Sequence, residues 1–237
     1  MPYDLHNNFI ANNFRDLGIF NLKASASAQF NEDELKNIVA NYPDKKITII
    51  DLRLEYHGFV NGEPLTLRNF KLSSETFDQQ QEKNILTEFV NNNSNLTIFN
   101  NSSFKSTNDN EIIEILTEEE LAKKYQCNYQ RFPLKDHHFP DHQQFLNIIK
   151  FLEKIEANQA SRIHVHCAAG RGRTAILLAI YDIFKNHHHV EIAEIFNRQA
   201  RLGSANLANI ANENEWSLDQ KQNIQMLYDF YKQLNQN

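Results

Sequence analysis

Apolar positions recur at helical spacing in seven stretches of the chain and alternate or cluster in five shorter ones. The helical stretches are Glu32–Ala40, Glu75–Val90, Glu118–Tyr125, Gln143–Ile155, Arg173–Phe184, Val190–Arg201 and Leu218–Leu234. In the fourth, Phe145, Ile149, Leu152 and Ile155 form one apolar stripe. In the last, Ile224, Leu227, Tyr228, Tyr231 and Leu234 do the same, so both predict helices packed on a core. Ile47–Leu52, Leu96–Phe99, Ile112–Leu116, Tyr129–Leu134 and Arg162–His166 are short, rich in β-branched or aromatic residues and bounded by polar punctuation, which predicts strands. Strands alternating with helices through the second half imply an α/β fold with a mostly parallel central sheet flanked by helices.

Composition narrows this picture. With 237 residues and 41% hydrophobic positions, the chain can bury a sizeable core as one large domain, and 23% charge is too little for wholesale disorder. No run approaches the apolar length of a membrane span. The first residues lack a basic segment followed by an apolar one, so no signal peptide is visible and the expected location is cytoplasmic or secreted, an injected bacterial effector included. A net charge of −6 argues against a general nucleic-acid binder. Any anionic ligand must meet a local basic site. Asparagine is abundant, and its runs between Asn91 and Asn110 read as surface loop.

Two cysteines, Cys127 and Cys167, are too few for a disulfide scaffold. Cys127 follows a helix without basic neighbours, the setting of a structural thiol. Cys167 stands in RIHVHCAAGRGRTAILLAIYDIF, where a strand meets a turn and then an apolar helix. That turn spans Ala168, Ala169, Gly170, Arg171 and Gly172, and it holds two of the six glycines of the chain. Its backbone can curl so that N–H groups and a helix N-terminus form a nest for a tetrahedral oxyanion. Helix dipole, amide dipoles and the Arg173 guanidinium all favour a thiolate there. Arg173 can grip two phosphate oxygens at once, and Thr174 offers a hydroxyl to the sulfur. A buried structural cysteine would leave His166, both glycines, both arginines and Thr174 unexplained.

Phosphoryl chemistry also needs a proton donor. Between Pro133 and Pro140 the chain offers Asp136, with Lys135, His137 and His138 beside it as potential phosphate contacts, and Asp141, better placed to cap the following helix. Downstream of the first predicted strand core, Asp51, Arg53 and His57 occupy the position where open α/β sheets place ligands. A local Arg53–Glu55 ion pair accounts for that segment equally well.

HCAAGRGRT resembles the Cys-x5-Arg-Thr phosphate loop of protein-tyrosine-phosphatase-like enzymes. With Asn13-Phe14-Arg15, Ile49–Pro64, the KDH around Asp136 and RQARLG at Arg198–Gly203, the chain resembles the bacterial cysteine phytases, the phosphatase-like inositol polyphosphatases. The resemblance implies a protein-tyrosine-phosphatase-like core with extra strands in the N-terminal half, a single domain over 1–237 with about 57–125 as decoration, and no metal or other cofactor. It implies Cys167 as nucleophile, Arg173 as phosphate clamp, Asp136 as general acid and His137 as a phosphate contact. Arg15 and Asp51 would lie on the inositol-facing rim, and Lys221 would reach the substrate from the last helix. Two departures stand out: Ala168 replaces a common acidic residue, and Arg171 replaces an apolar one. The extra arginine favours substrates with several phosphates.

The expectation is therefore a phosphatase acting on an inositol polyphosphate such as phytate. A phosphotyrosine or phosphoinositide phosphatase is the alternative within the class, and a phospho-ligand binding module the alternative outside it. A sulfur transferase or arsenate reductase fits less well with one reactive cysteine and a separate Asp136 loop. His187-His188-His189 lacks acidic or cysteine partners and reads as a solvated helix end, and Trp216 as core.

Overall fold

The computed structural model describes residues 10–71, 78–92, 97–100, 103–106, 114–209 and 218–236. Trp216 lies outside them. The central sheet has five strands: β1 (Arg15–Asp16), β2 (Ala24–Ser27), β3 (Lys46–Arg53), β9 (Asn128–Leu134) and β10 (Ser161–His166). Their order is β1-β2-β10-β3-β9; β1 is antiparallel to β2 and every other pairing is parallel. The carboxyl ends of four strands therefore open onto the same edge.

Residue alternation decides what each sheet face meets. Ile50 and Leu52 of β3 join Ile163 and Val165 of β10 against the helices α4 (His142–Ala157), α5 (Gly172–Asn186), α6 (Ile192–Arg201) and α7 (Leu218–Gln236). Ile47 and Ile49 point the other way, onto α1 (Glu32–Ala40) and α3 (Glu118–Lys124). On that second face β10 carries His164 and His166 and β3 carries Asp51 near its carboxyl end, all fully buried. Register puts His166 beside Ser27 on one side and Asp51 on the other, with Arg131 next to Asp51, so a polar row crosses the carboxyl end of the sheet.

Beside this core, β4 (Glu55–Val60), β5 (Glu63–Lys71) and β8 (Ile115–Thr117) form an antiparallel sheet covered by α2 (Gln79–Asn92). β6 (Thr97–Asn100) and β7 (Ser103–Ser106) form a separate hairpin pair. The expected helices all occur, with described ends within a few residues of expectation; residues 75–77 of the second helix, and Leu96, Ile112 and Ile113 of two expected strands, lie outside the described residues. β1, β2, β4, β5 and β7 are not among the strands that periodicity predicts; β1, β2, β4 and β5 are extra strands of the N-terminal half, as the resemblance implies. β2 is ASAS, a poor strand sequence by propensity, and it forms because β1 and β10 supply ladders on both sides.

Candidate active site

β10 ends at His166, and Cys167 begins the loop that enters α5. Cys167 is buried while Ala168, Ala169 and Arg171 are exposed. Neighbouring chain segments hold the loop by its carbonyls. Gln29 N donates to Ala168 O at 3.0 Å, and Asn13 Nδ2 donates to Ala169 O at 3.3 Å. Gly170 O accepts from Arg15 Nη2 at 2.7 Å and Asn13 Nδ2 at 3.2 Å, and Arg171 O accepts from Ala205 N at 3.2 Å. Carbonyls turned outward leave the amides turned inward; among the described residues the N–H groups of Ala168 through Gly172 bond to no protein acceptor. Gly170 adopts φ +67°, and a Cβ there would stand 2.2 Å from Ser27 O, so only glycine fits.

Arg173, in the first turn of α5, is buried and points back under the loop. Its Nη1 and Nη2 bond both oxygens of Glu55, at 2.8 and 3.0 Å, and Nη1 also donates to Leu134 O at 3.2 Å. Burial raises the Glu55 carboxyl, but the hydrogen bonds from Arg173 and the charge of Arg53 outweigh it and hold the acid well below the usual carboxylate range. One edge of the guanidinium is thus fixed, and Nε has no aligned hydrogen bond. Asp136 Oδ1 lies 3.3 Å from that Nε, which brings the loop after β9 over the Cys167 loop. Thr174 Oγ1 donates to Cys167 Sγ at 3.3 Å. Cys167, Arg173, Thr174 and Asp136 converge.

Other expected site residues sit elsewhere. Lys135 and His137 are exposed on the loop that carries Asp136, and His137 adopts φ 59°. Arg15 is no rim residue: it is buried under the loop, bonded to Gly170 O, Asn13 O and Ser204 Oγ, and burial lowers its pKa to about 10. Asp51 is wholly buried; it accepts from Tyr129 OH at 2.8 Å and the Arg53 amide at 2.8 Å and pairs with Arg131 Nε at 3.0 Å. Arg53 is buried too, between Gln29, Glu55 and Thr66. These residues support the floor of the site and do not line its mouth. The Arg53–Glu55 pair is present, and the same carboxylate also serves Arg173. Lys221 lies on α7, and its side chain falls outside the described residues.

Sequence reasoning missed Glu55 as the partner of the clamp, Gln29 as an anchor of the loop, and Glu118. The Arg-x-Glu spacing at Arg53–Glu55 was the available signal. Glu118 had none, because its partners come from three distant segments. Asp51, His57 and Glu118 stand close enough to suggest a metal site, but Arg131, Tyr129 and Gln29 already occupy their oxygens. The cluster is an ion-pair and hydrogen-bond network. Cys127 is buried, and burial pushes its thiol up to about 11, as befits a structural residue.

Comparison with known proteins agrees with this geometry. The family model for protein-tyrosine-phosphatase-like phytases, described by inositol hexakisphosphate, matches residues 50–185. The phosphatase-like myo-inositol phosphatase of Mitsuokella multacida, solved in complex with myo-inositol-(1,3,4,5)-tetrakisphosphate, is 28% identical with a TM-score of 0.74, over 93% of this chain and 39% of that one. The tandemly repeated phytase of the same organism is 27% identical with a TM-score of 0.75, over 96% and 43%. A phosphatase-like phytase from Bdellovibrio bacteriovorus shares the fold at 22% identity, with a TM-score of 0.66 over 96% and 86%. Effector protein hopD2 of Pseudomonas syringae pv. tomato is 27% identical over 78% of this chain and 42% of its own length. The chain thus spans less than half the length of that curated relative and of both Mitsuokella chains. No described helix is long and apolar enough to cross a membrane. By the match over more than half its length, and by a fold and loop of the same kind, the chain belongs to the protein-tyrosine-phosphatase-like phytase family.

Proposed function

We propose that this chain hydrolyses phosphate monoesters of inositol polyphosphates through a phosphocysteine intermediate, with residues 1–237 acting as one phosphatase domain. The convergence of Cys167, the inward loop amides, Arg173 and Asp136 carries the reading.

In the first step the Cys167 thiolate attacks phosphorus in line with the leaving oxygen. Loop amides and the open edge of Arg173 hold the three equatorial oxygens, where charge collects in the transition state. The P–O bond to the inositol breaks, and the Asp136 carboxyl gives its proton to the departing oxygen. Thr174 stabilises sulfur by donating to it. In the second step Asp136, now a carboxylate, takes a proton from water; the water oxygen attacks phosphorus and the P–S bond breaks. Orthophosphate leaves, and thiolate and carboxylic acid are restored. The sum is ester plus water to alcohol plus phosphate, with no metal required.

The family match and the inositol tetrakisphosphate bound in the Mitsuokella relative support the substrate class. So does the basic mouth: Arg171, Lys135 and His137 are exposed around a loop whose buried arginines are already paired. On this reading they meet phosphates that are not being cleaved. Phosphate release from phytate in the presence of EDTA, with a phosphotyrosine peptide and a soluble phosphoinositide alongside, tests it. Rapid release from phytate, abolished in Cys167→Ser, is expected. Preference for the peptide or the lipid would keep the chemistry and overturn the substrate. Silence on all three by a folded protein, with tight binding of phytate, would make this a binding module.

A further inference from the structure

A carboxylate outside the reacting groups reaches both flanks of the catalytic loop. Glu118 is the first residue of α3, and its neighbours Thr117 and Glu120 form the capping box of that helix. An acidic residue in a first turn is favourable by the helix dipole, yet most such residues stay in water. Glu118 is almost wholly buried. A buried carboxylate is costly unless donors surround it, and here three converge from separate parts of the chain. His166 Nε2 lies 2.5 Å from Oε1; His57 Nε2 lies 3.0 Å and Gln29 Nε2 3.1 Å from Oε2. Burial alone would raise its pKa, but the charge of His166 and hydrogen bonds from His166 and His57 overcome burial and the repulsion of Asp51, holding it down to about 2.

Two of those donors flank Cys167. His166 precedes it directly, and Gln29 holds the Ala168 carbonyl through its own backbone amide at 3.0 Å. Gln29 continues the connection: its Oε1 accepts from Arg53 Nη1 at 2.7 Å, Arg53 Nε bonds Glu55 at 3.0 Å, and Glu55 holds Arg173. Glu118 thereby closes a path from the residue before the nucleophile to the phosphate clamp. It also fixes the orientation of the His166 ring. With Nε2–H committed to the carboxylate, the other ring nitrogen, Nδ1, is buried and without a hydrogen-bond partner among the described residues. The charged and polar groups facing Cys167 are then Arg15, Arg173 and Thr174, together with a His166 whose orientation is fixed from behind.

We infer that Glu118 is a positioning residue for the phosphatase reaction, acting on Cys167 through His166 and Gln29. The inference rests on the phosphocysteine reading above. It calls for a measurement on the thiol itself, because alkylation needs no substrate. Glu118→Gln keeps the shape but presents an NH2 group to a site built entirely of donors. We expect this variant to remain folded by circular dichroism, with alkylation of Cys167 by iodoacetamide and kcat on phytate both slowed about ten- to a hundredfold. KM should stay within about threefold, the signature of lost transition-state organisation. Glu118→Asp keeps the charge but shortens the reach, and should fall between; it carries the test if the glutamine variant does not fold. Glu82→Gln is the control for general loosening, since Glu82 serves Arg131 and the His57 amide in the same network but touches neither His166 nor the loop. It should lower the melting temperature while leaving alkylation fast. Alkylation and kcat within about twofold of the parent in the Glu118 variants, or an equal loss in Glu82→Gln, would overturn the positioning role. A parent without a fast thiol at Cys167 would overturn the phosphocysteine reading and this inference together.

Discussion

On the proposed function Arg173 does two jobs with one planar group, and that makes it the most informative single residue of the site. Both terminal nitrogens are bonded to Glu55, which leaves Nε on the side facing Asp136 Oδ1, 3.3 Å away. Lysine keeps the charge but cannot hold a carboxylate on one edge and a phosphate on the other. Arg173→Lys is expected to lower kcat/KM on phytate by about a hundred- to a thousandfold, the scale of losing an aligned transition-state donor. Steady-state kinetics on a protein of unchanged circular dichroism checks it. Arg171 is the opposite case, exposed at the mouth and paired with nothing among the described residues. On the proposed function it grips a second phosphate, so Arg171→Val should raise KM for phytate about tenfold, the value of roughly one charge-assisted hydrogen bond. An equal rise for a phosphotyrosine peptide would refute that role. At this scale the Cys167 loop was legible because loop chemistry is local: the proposed nucleophile, the glycines and the proposed clamp lie within a few positions. Arg15 and Asp51 were misread as rim residues because one chain cannot show which polar side chains turn beneath a sheet.

The acid loop depends on the element that follows it. Asp141 caps α4, its carboxylate accepting from Gln144 N at 2.8 Å while Gln144 reciprocates to the Asp141 amide at 3.0 Å. Gln144 also donates to Pro133 O at 3.2 Å, tying the helix start to the far side of the loop that carries Asp136. Asp141→Ala is expected to cost about 1 kcal/mol in chemical denaturation. Its effect on kcat should be small beside that of Asp136→Asn, which removes the proposed proton donor and should cost about a hundred- to ten-thousandfold. Comparable losses of kcat in the two variants would reverse the assignment of acid and cap. The cap was readable from an aspartate before an apolar stripe. The small strand β2 was not readable, because alanine and serine signal nothing until neighbouring strands enclose them. Its Ser25 and Ser27 then serve His164, bonding Nδ1 and Nε2 at 3.0 Å each, and burial keeps that imidazole neutral.

Across the whole molecule, the polar row beneath the site sets how stability responds to pH. His57 is buried; burial and Arg53 oppose its protonation, yet Asp51 outweighs them and raises its pKa to about 9. The folded protein therefore holds a proton that the unfolded chain releases near pH 6.5. This stabilisation is complete below about pH 6.5 and is lost as pH rises through about 9. Glu118 works in the other direction: its contribution is present above about pH 4.5 and is lost as pH falls toward 2. Thermal unfolding followed across pH should show its highest midpoint near 6.5, because below that value the unfolded chain protonates an imidazole that burial keeps neutral at His164, with a decline on the alkaline side that flattens in His57→Gln. A parent whose midpoint is level from pH 6.5 to 9 would contradict the charged state assigned to His57. Hydrophobic periodicity by itself determined that this is an α/β chain with a largely parallel sheet, and the spacing around Cys167 determined the kind of loop it carries, since both follow from neighbours in sequence. Only the tertiary structure decided that Glu55 belongs to Arg173, that Glu118 reaches His166, and that Arg15, Asp51 and Arg53 lie under the site. Those contacts join segments dozens of residues apart, and what fixes them is strand register, which places His166, Asp51 and Arg131 in one row.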